Sequence, residues 1–293
     1  MQGGKARRLS HINHTPQGGS TEGGTAESAS VADQGSALYF CVLASGSRGN
    51  AVYISDGTTA ILLDSGLSGI EIERRLSSRG LCAENLSAIV ITHEHTDHVQ
   101  SAGVLSRRYD LPLYLNRQTL AAAEKKLGSI KAVHHFENGH PFAIGDLWLH
   151  PFSISHDAED PAGFTIKTPA VGKIGIATDL GLATAVVREN LKGCRLLFLE
   201  ANHDPAMLEN GPYPWSLKQR VRGRCGHLSN QETAALLAEI KGEALSHVIL
   251  GHLSEENNDP QKALSVVGEA LDPAQTQLSV ARQDAAHPLI HLK

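Results

Sequence analysis

Four side chains able to bind a metal crowd into the run Thr92-His93-Glu94-His95-Thr96-Asp97-His98, namely His93, His95, Asp97 and His98. Imidazole and carboxylate together suit zinc, manganese or iron, whereas structural zinc sites favour cysteine and a closed shell. The set therefore points to a catalytic metal centre. Two adjacent metals need more ligands than one local segment supplies, so further donors should sit at other strand ends. His156 follows an apolar stretch that starts at Trp148, Asp179 follows Ile174-Gly175-Ile176-Ala177-Thr178, and His252 follows Val248-Ile249-Leu250-Gly251. His134, His135, His140 and His150 lack such spacing and read as surface or capping histidines.

These donors require a scaffold of strands. Residues 37–43 read as a strand, followed by the turn Ser45-Gly46-Ser47-Arg48-Gly49-Asn50. Strands 51–55 and 59–64 are joined by Asp56-Gly57, a hairpin signal. A helix is expected over 69–79. The apolar run 88–92 reads as a buried strand that feeds the histidine cluster through a tight loop. Helix 100–109, strand 113–115, helix 117–127 and strand 132–136 follow, then a meander of strands 147–154, 162–168 and 172–177. A helix over 182–191 leads to strand 195–199, helices 214–221 and 229–240, strand 247–250 and helix 260–271. Residues 1–36 are rich in Gly, Ser, Thr and Gln and read as a disordered tail, because so little apolar surface cannot offset the entropy of ordering. The domain is expected over 37–293.

The pattern H-x-H-x-D-H, preceded by Leu62-Leu63-Asp64-Ser65-Gly66 and followed by lone His, Asp and His, resembles the metallo-β-lactamase superfamily. That resemblance implies an α/β fold, a four-layer αβ/βα sandwich of two mixed β-sheets flanked by helices. It implies two divalent metal ions, zinc or manganese. His93, His95 and His156 would hold one, Asp97, His98 and His252 the other, with Asp179 bridging. Asp64 would orient ligands from behind. From the residues alone, an Asp before Ser-Gly could equally cap a turn.

Two segments narrow the chemistry. Gly226-His227-Leu228-Ser229-Asn230-Gln231-Glu232 opens an apolar-periodic helix with Ser229 or Asn230 placed as N-cap, and Leu250-Gly251-His252-Leu253-Ser254 ends a strand. Both resemble the nuclease branch of the superfamily, in which a histidine at the place of His227 contacts phosphate. A histidine that merely precedes a cap is the plainer alternative. More specifically, Leu43-Ala44-Ser45-Gly46-Ser47-Arg48-Gly49-Asn50-Ala51, His156-Asp157-Ala158, Asp160-Pro161-Ala162-Gly163-Phe164, Asn210-Gly211-Pro212-Tyr213-Pro214-Trp215 and His252-Leu253-Ser254-Glu255-Glu256-Asn257-Asn258 resemble the YycJ/WalJ group. The resemblance covers nearly everything after residue 37. It implies a two-metal 5′→3′ DNA exonuclease, with Asp97 orienting the attacking hydroxide and His227 binding a non-bridging oxygen or protonating the leaving group. The short span from His156 to Asp179 leaves no room for the arm of tRNA 3′-processing endoribonucleases. The span from Asp179 to His252 leaves none for the inserted domain of RNase J nucleases.

Other features are weighed against plainer readings. Ser45, Ser47 and Asn50 could bind a terminal phosphate from the Gly-rich turn, or the turn could be an ordinary hairpin. Lys218, Arg220, Arg222 and Arg224 could position a nucleic-acid backbone or form a solvated face. Tyr213 and Trp215, beside Pro212 and Pro214, could stack on a base, but aromatics among prolines are more often packing anchors. With 293 residues and a hydrophobic fraction of 41%, the chain can bury a large core, but aromatics at 4% leave Val, Ile, Leu and Ala to fill it. A net charge of −5 argues against binding a polyanion through bulk charge and mildly favours the alternative of a small-molecule hydrolase acting on a thioester, lactone or β-lactam. The histidine at 227 and the basic run favour a nucleic-acid substrate, DNA in particular. A third alternative, an idle metal-binding scaffold, fits poorly with a complete ligand set. Cys41, Cys82, Cys194 and Cys225 form no C-x-x-C pair, which suggests a reducing cytoplasm. No apolar run is long enough for a membrane span and no secretory signal is evident. Oligomeric state is left open.

Overall fold

The computed structural model describes residues 37–169 and 171–293, and the expected disordered tail lies outside the described residues. β1 (Leu38–Ala44), β2 (Ala51–Ser55) and β3 (Ala60–Leu63) are antiparallel, with β2 and β3 joined by the expected hairpin. In that turn Asp56 Oδ1 accepts the N–H of both Thr58 and Thr59, at 2.8 and 2.7 Å. After α1 (Gly69–Ser77), β4 (Ala88–Val90) joins β3 in parallel. α2 (Thr96–Val99) and α3 (Ala102–Tyr109) lead to β5 (Leu113–Leu115), and α4 (Arg117–Leu127) leads to β6 (Val133–His135).

The second sheet opens with the expected meander. β7 (Phe142–Ile144), β8 (Leu147–Ser153), β9 (Ala162–Thr168) and β10 (Gly172–Ala177) run antiparallel. α5 (Ala185–Leu191) then returns the chain to β11 (Leu196–Glu200), parallel to β10. α6 (Pro205–Asn210), α7 (Trp215–Val221) and α8 (Asn230–Ile240) precede β12 (His247–Gly251). α9 (Pro260–Gly268) and β13 (Gln277–Val280) follow, and β14 (Ile290–Leu292) returns to pair with β1. The strand orders are β14-β1-β2-β3-β4-β5-β6 and β13-β12-β11-β10-β9-β8-β7. Two mixed seven-stranded sheets flanked by helices make the expected four-layer α/β sandwich.

Strand periodicity sorts the core into layers. Successive side chains point to opposite faces of a sheet, so Phe40 and Val42 of β1 join Phe164, Ile176, Phe198 and Ile249 between the sheets. Their neighbours Cys41 and Leu43 face outward, under Ile72 of α1 and Leu105 of α3. On the far side Leu199 and Leu250 pack with Val187, Leu237 and Val267 from α5, α8 and α9. Because both faces of each sheet are covered, the strands read as near-continuous apolar runs. The four cysteines are free, Cys41 and Cys194 buried, Cys82 and Cys225 exposed. No described helix is long and apolar enough to cross a membrane.

Some elements differ from expectation. β4 stops at Val90 because the Thr92 N–H leaves the ladder and donates to Asp64 Oδ1 at 2.9 Å. The expected tight loop after β4 closes into α2, with His95 as its N-cap residue. β7, β13, β14 and α6 had no sequence expectation, since segments of three to six residues carry too little period to stand out.

Candidate metal centre

The site is assembled at one edge of the sandwich, where β3, β4, β8, β10, β11 and β12 end. Sharp bends at strand ends place its side chains. Asp64 after β3, Asp179 after β10 and His252 after β12 adopt left-handed backbone, with φ of 61°, 58° and 53°. Among described non-glycine residues the other left-handed one is Asp110, the C-cap of α3. Such conformations cost on the order of 1–3 kcal/mol each and persist where surrounding structure enforces them. Three of four fall at this one cluster.

The donors converge. His93 Nε2 lies 3.1 Å from His95 Nδ1, which lies 3.3 Å from His156 Nε2. The Asp179 carboxylate spans the centre. Its Oδ1 is 3.8 Å from His156 Nε2, while its Oδ2 is 3.3 Å from both His98 Nε2 and His252 Nδ1. Asp97 Oδ2 approaches His98 Nε2 at 3.6 Å. Two ligand triads, His93–His95–His156 and His93–His98–Asp179, each have their donor atoms within 4.8 Å of one another. All seven residues expected as ligands are thus brought together, while His134, His135, His140 and His150 lie outside the cluster.

The donor set fits divalent cations. Asp179 Oδ2 and His252 Nδ1 are buried and face each other without a well-formed hydrogen bond among the described residues, an arrangement that costs free energy unless a cation completes it. Burial pushes His93 well below the ordinary imidazole range. At His98 burial pulls the same way, yet the carboxylates of Asp64 and Asp179 outweigh it and hold the ring well above that range. Asp179 is held well below the carboxylate range by His252 and His98, against its own burial. The same carboxylate field that retains a proton on His98 favours a metal in its place.

A supporting layer fixes these rings. Asp64 Oδ2 accepts from His98 Nδ1 at 2.7 Å, and Thr92 Oγ1 lies 2.9 Å from that oxygen and 3.0 Å from His93 Nδ1. Asp64 thus touches both His98 and Thr92, the contacts expected of a residue that orients the proposed ligands. Of the turn residues expected to meet phosphate, Asn50 Nδ2 reaches Asp97 Oδ2 at 3.2 Å and His98 Nε2 at 3.0 Å. Ser45 Oγ accepts the His252 N–H at 2.7 Å, and Ser47 is exposed. Ser45 and Asn50 thus hold the ligand backbone and side chains directly.

His227 faces the same cleft, its ring stacked on His252 at 5.1 Å and tilted against His156 at 5.4 Å. Its Nδ1 is 2.6 Å from Oε1 of Glu200, which is completely buried and whose Oε2 accepts the N–H of Leu180 at 2.7 Å. Burial alone would lower the His227 pKa, but the Glu200 carboxylate raises it to about 9. Sequence reasoning missed Glu200. Its signal was there: a lone charge closing the wholly buried strand Leu-Leu-Phe-Leu-Glu, level with the other site-bearing strand ends. The expected N-cap is Ser229, which forms a full capping box with Glu232. Trp215 is not a packing anchor, being 66% exposed, because α7 presents it away from the core.

Residues 59–252 match the family profile described as beta-lactamase superfamily domain, and the chain belongs to that superfamily. The crystal structure of the metallo-beta-lactamase fold protein YhfI from Bacillus subtilis matches with a TM-score of 0.66 at 15% identity, covering 86% of this chain and 99% of that one. Similarity is higher to exodeoxyribonuclease YycJ of Bacillus anthracis, 36% identical over 80% of this chain and 89% of the relative. Exodeoxyribonuclease WalJ of Streptococcus pneumoniae serotype 2 is 39% identical over 75% of this chain and 82% of the relative, so within the superfamily the chain falls in the YycJ/WalJ group.

Proposed function

We propose that residues 37–293 form one hydrolase domain that cleaves DNA phosphodiesters at two divalent ions, zinc or manganese, removing nucleotides from the 5′ end in the cytoplasm. The observation that carries the two-ion reading is Asp179, whose two carboxylate oxygens face different histidines. DNA as substrate is supported by relatives at 36% and 39% identity that are named exodeoxyribonucleases. The free cysteines agree with a reducing compartment.

His93, His95 and His156 would hold one ion and Asp97, His98 and His252 the other, bridged by Asp179. Bound there, the ions supply an acidified water as nucleophile and neutralise phosphate oxygens. Asp97, with 23% of its side chain exposed against 4% for Asp179, is the carboxylate open to the cleft and orients the attacking water. Glu200 occupies Nδ1 of His227, which leaves Nε2 to carry a proton toward a phosphate oxygen or the departing sugar oxygen. Asp64, Thr92 and Asn50 hold the ligands in register.

The test is purified protein with Mn²⁺ or Zn²⁺, offered 5′-phosphorylated single- and double-stranded DNA, RNA, a lactone and a thioester. Release of mononucleotides from the 5′ end of DNA is expected. Turnover of the lactone or thioester with intact DNA would overturn the reading in favour of a small-molecule hydrolase.

A further inference from the structure

Two faces of α7 have different partners. On one face Arg220 grips Asp157 Oδ2 through Nε at 2.7 Å and Nη2 at 2.6 Å. Asp157 Oδ1 in turn lies 3.4 Å from Nε2 of His156, and the His227 N–H donates to the carbonyl of Val221 at 2.8 Å. The helix is thereby fastened against the metal centre. The other face carries Trp215, Lys218 and Arg222, spaced i, i+3 and i+7 so that they share one stripe. Trp215 is 66% exposed, and the Arg222 guanidinium lies over its ring at 4.8 Å from the centroid. Lys218 Nζ donates to the backbone carbonyl of Glu209 at 2.6 Å. Neither cation is paired with a carboxylate among the described residues, unlike Arg220.

Behind the stripe lies a cavity of about 300 Å³ lined by His203, Lys218, Arg222, Ser229, Glu209 and Glu232. Glu232 is engaged by the Ser229 cap. His203 is 3% exposed, and its buried Nδ1 has no partner among the described residues. The cavity shares Ser229 with the segment that carries His227, and the Arg220–Asp157 pair and the His227–Val221 hydrogen bond hold α7 beside the same cleft. An exposed indole offers a face to an unpaired base, and flanking cations offer charge to phosphates. Bases within a duplex already have both faces stacked.

We propose that α7 docks a single-stranded stretch of DNA next to the scissile phosphate, with Trp215 stacking on a base and Lys218 and Arg222 holding phosphates. This rests on the nuclease reading above and adds to it the strand state and the residues that sense it.

The chain has two tryptophans, so Trp148→Phe leaves Trp215 as the sole fluorophore. The metal-loaded variant is titrated with a 5′-phosphorylated, phosphorothioate-linked oligothymidylate that resists cleavage, and with a duplex of equal length. Quenching of Trp215 by the single strand, and less by the duplex, is expected. Trp215→Ala should weaken single-strand binding about tenfold. The Lys218→Ala/Arg222→Ala pair should shrink the slope of log K against log salt by about 1.4, at roughly 0.7 per phosphate contact. Lys218→Arg/Arg222→Lys should restore it. Absent quenching or an unchanged salt slope overturns the assignment. If the wild type binds and cuts DNA while these variants bind as well as it does, the docking face alone is wrong. If the wild type binds no DNA, the nuclease reading goes with it.

Discussion

Glu200 Oε1 sits 2.6 Å from Nδ1 of His227, joining the end of a buried strand to a ring that packs on His156 and His252. Glu200 is fully buried, so on the proposed mechanism it acts through the His227 ring it holds. His227→Ala is predicted to slow DNA cleavage by about 10²–10⁴-fold, the usual contribution of a positioned acid. Glu200→Gln keeps an acceptor for Nδ1 but loses the charge, and should cost about tenfold in kcat with KM little changed. The double variant should be no slower than His227→Ala alone, since the two act as a unit. Metal content should stay at the wild-type level in all three. Additive losses, or loss of metal from Glu200→Gln, would make Glu200 a structural residue instead.

Asp64 holds Nδ1 of His98, a proposed metal ligand, at 2.7 Å, and the Thr92 N–H with its other oxygen. Partners of this kind set ring orientation and ligand basicity. Asp64→Asn is predicted to weaken metal binding by about 10–100-fold, read by competition with a chelator. Unchanged affinity would mean that the aspartate only shapes the turn after β3.

A methyl group at Gly66 would lie 1.6 Å from the carbonyl oxygen of Asp97 and 2.7 Å from the Asn50 nitrogen. Both obstacles are backbone, and Asn50 N–H donates to that same Asp97 carbonyl at 2.8 Å. Neither can yield without moving the ligand loop. Gly66→Ala should therefore lose about 3 kcal/mol, the upper end for overpacking, and bind metal poorly. Gly242→Ala, with nothing within 4 Å, is the control expected to stay near wild type. Equal denaturation midpoints for the two variants would contradict the clash.

The residues that converge at the candidate site were legible because they follow apolar strands, and a run such as Val248-Ile249-Leu250-Gly251 before His252 marks both the strand and its end. The sandwich followed from the same runs. Glu200 escaped because its role depends on a through-space pairing with His227 that no local spacing encodes. The Gly-rich turn of Ser45 and Asn50 reads alike in sequence whether it faces a phosphate or the protein. Their partners His252 and Asp97 are distant in the chain. Trp215 after Pro214 reads as an anchor in sequence because exposure is a property of the packed helix, not of its neighbours along the chain.

Stability should carry one identifiable acid-side term. Arg75 is 5% exposed and donates through Nη1 to the carbonyls of Leu43 and Gln283, at 2.8 and 2.9 Å, tying α1 to the first sheet and to the segment after β13. Glu71 neutralises it at 2.6 Å and also pairs with Arg74 at 2.7 Å. The hydrogen bond from Arg74 pulls the Glu71 carboxyl from its ordinary 4.5 down to about 2 against the opposing effect of burial, with a further hydrogen bond from Arg75 helping. A carboxyl whose folded pKa is depressed stabilises fully above its unfolded value and loses that contribution as pH falls through the folded one. Screening at this partly exposed site limits the contribution to about 1 kcal/mol, or about 2–4 °C in melting temperature for a chain of this size. Glu71→Gln should thus melt a few degrees below wild type at pH 7, with the gap narrowing steadily as pH drops from 4.5 toward 2. Thermal melts of both proteins across that range check it, and a gap that persists unchanged at pH 3 would show that the loss on Glu71→Gln does not come from its charge.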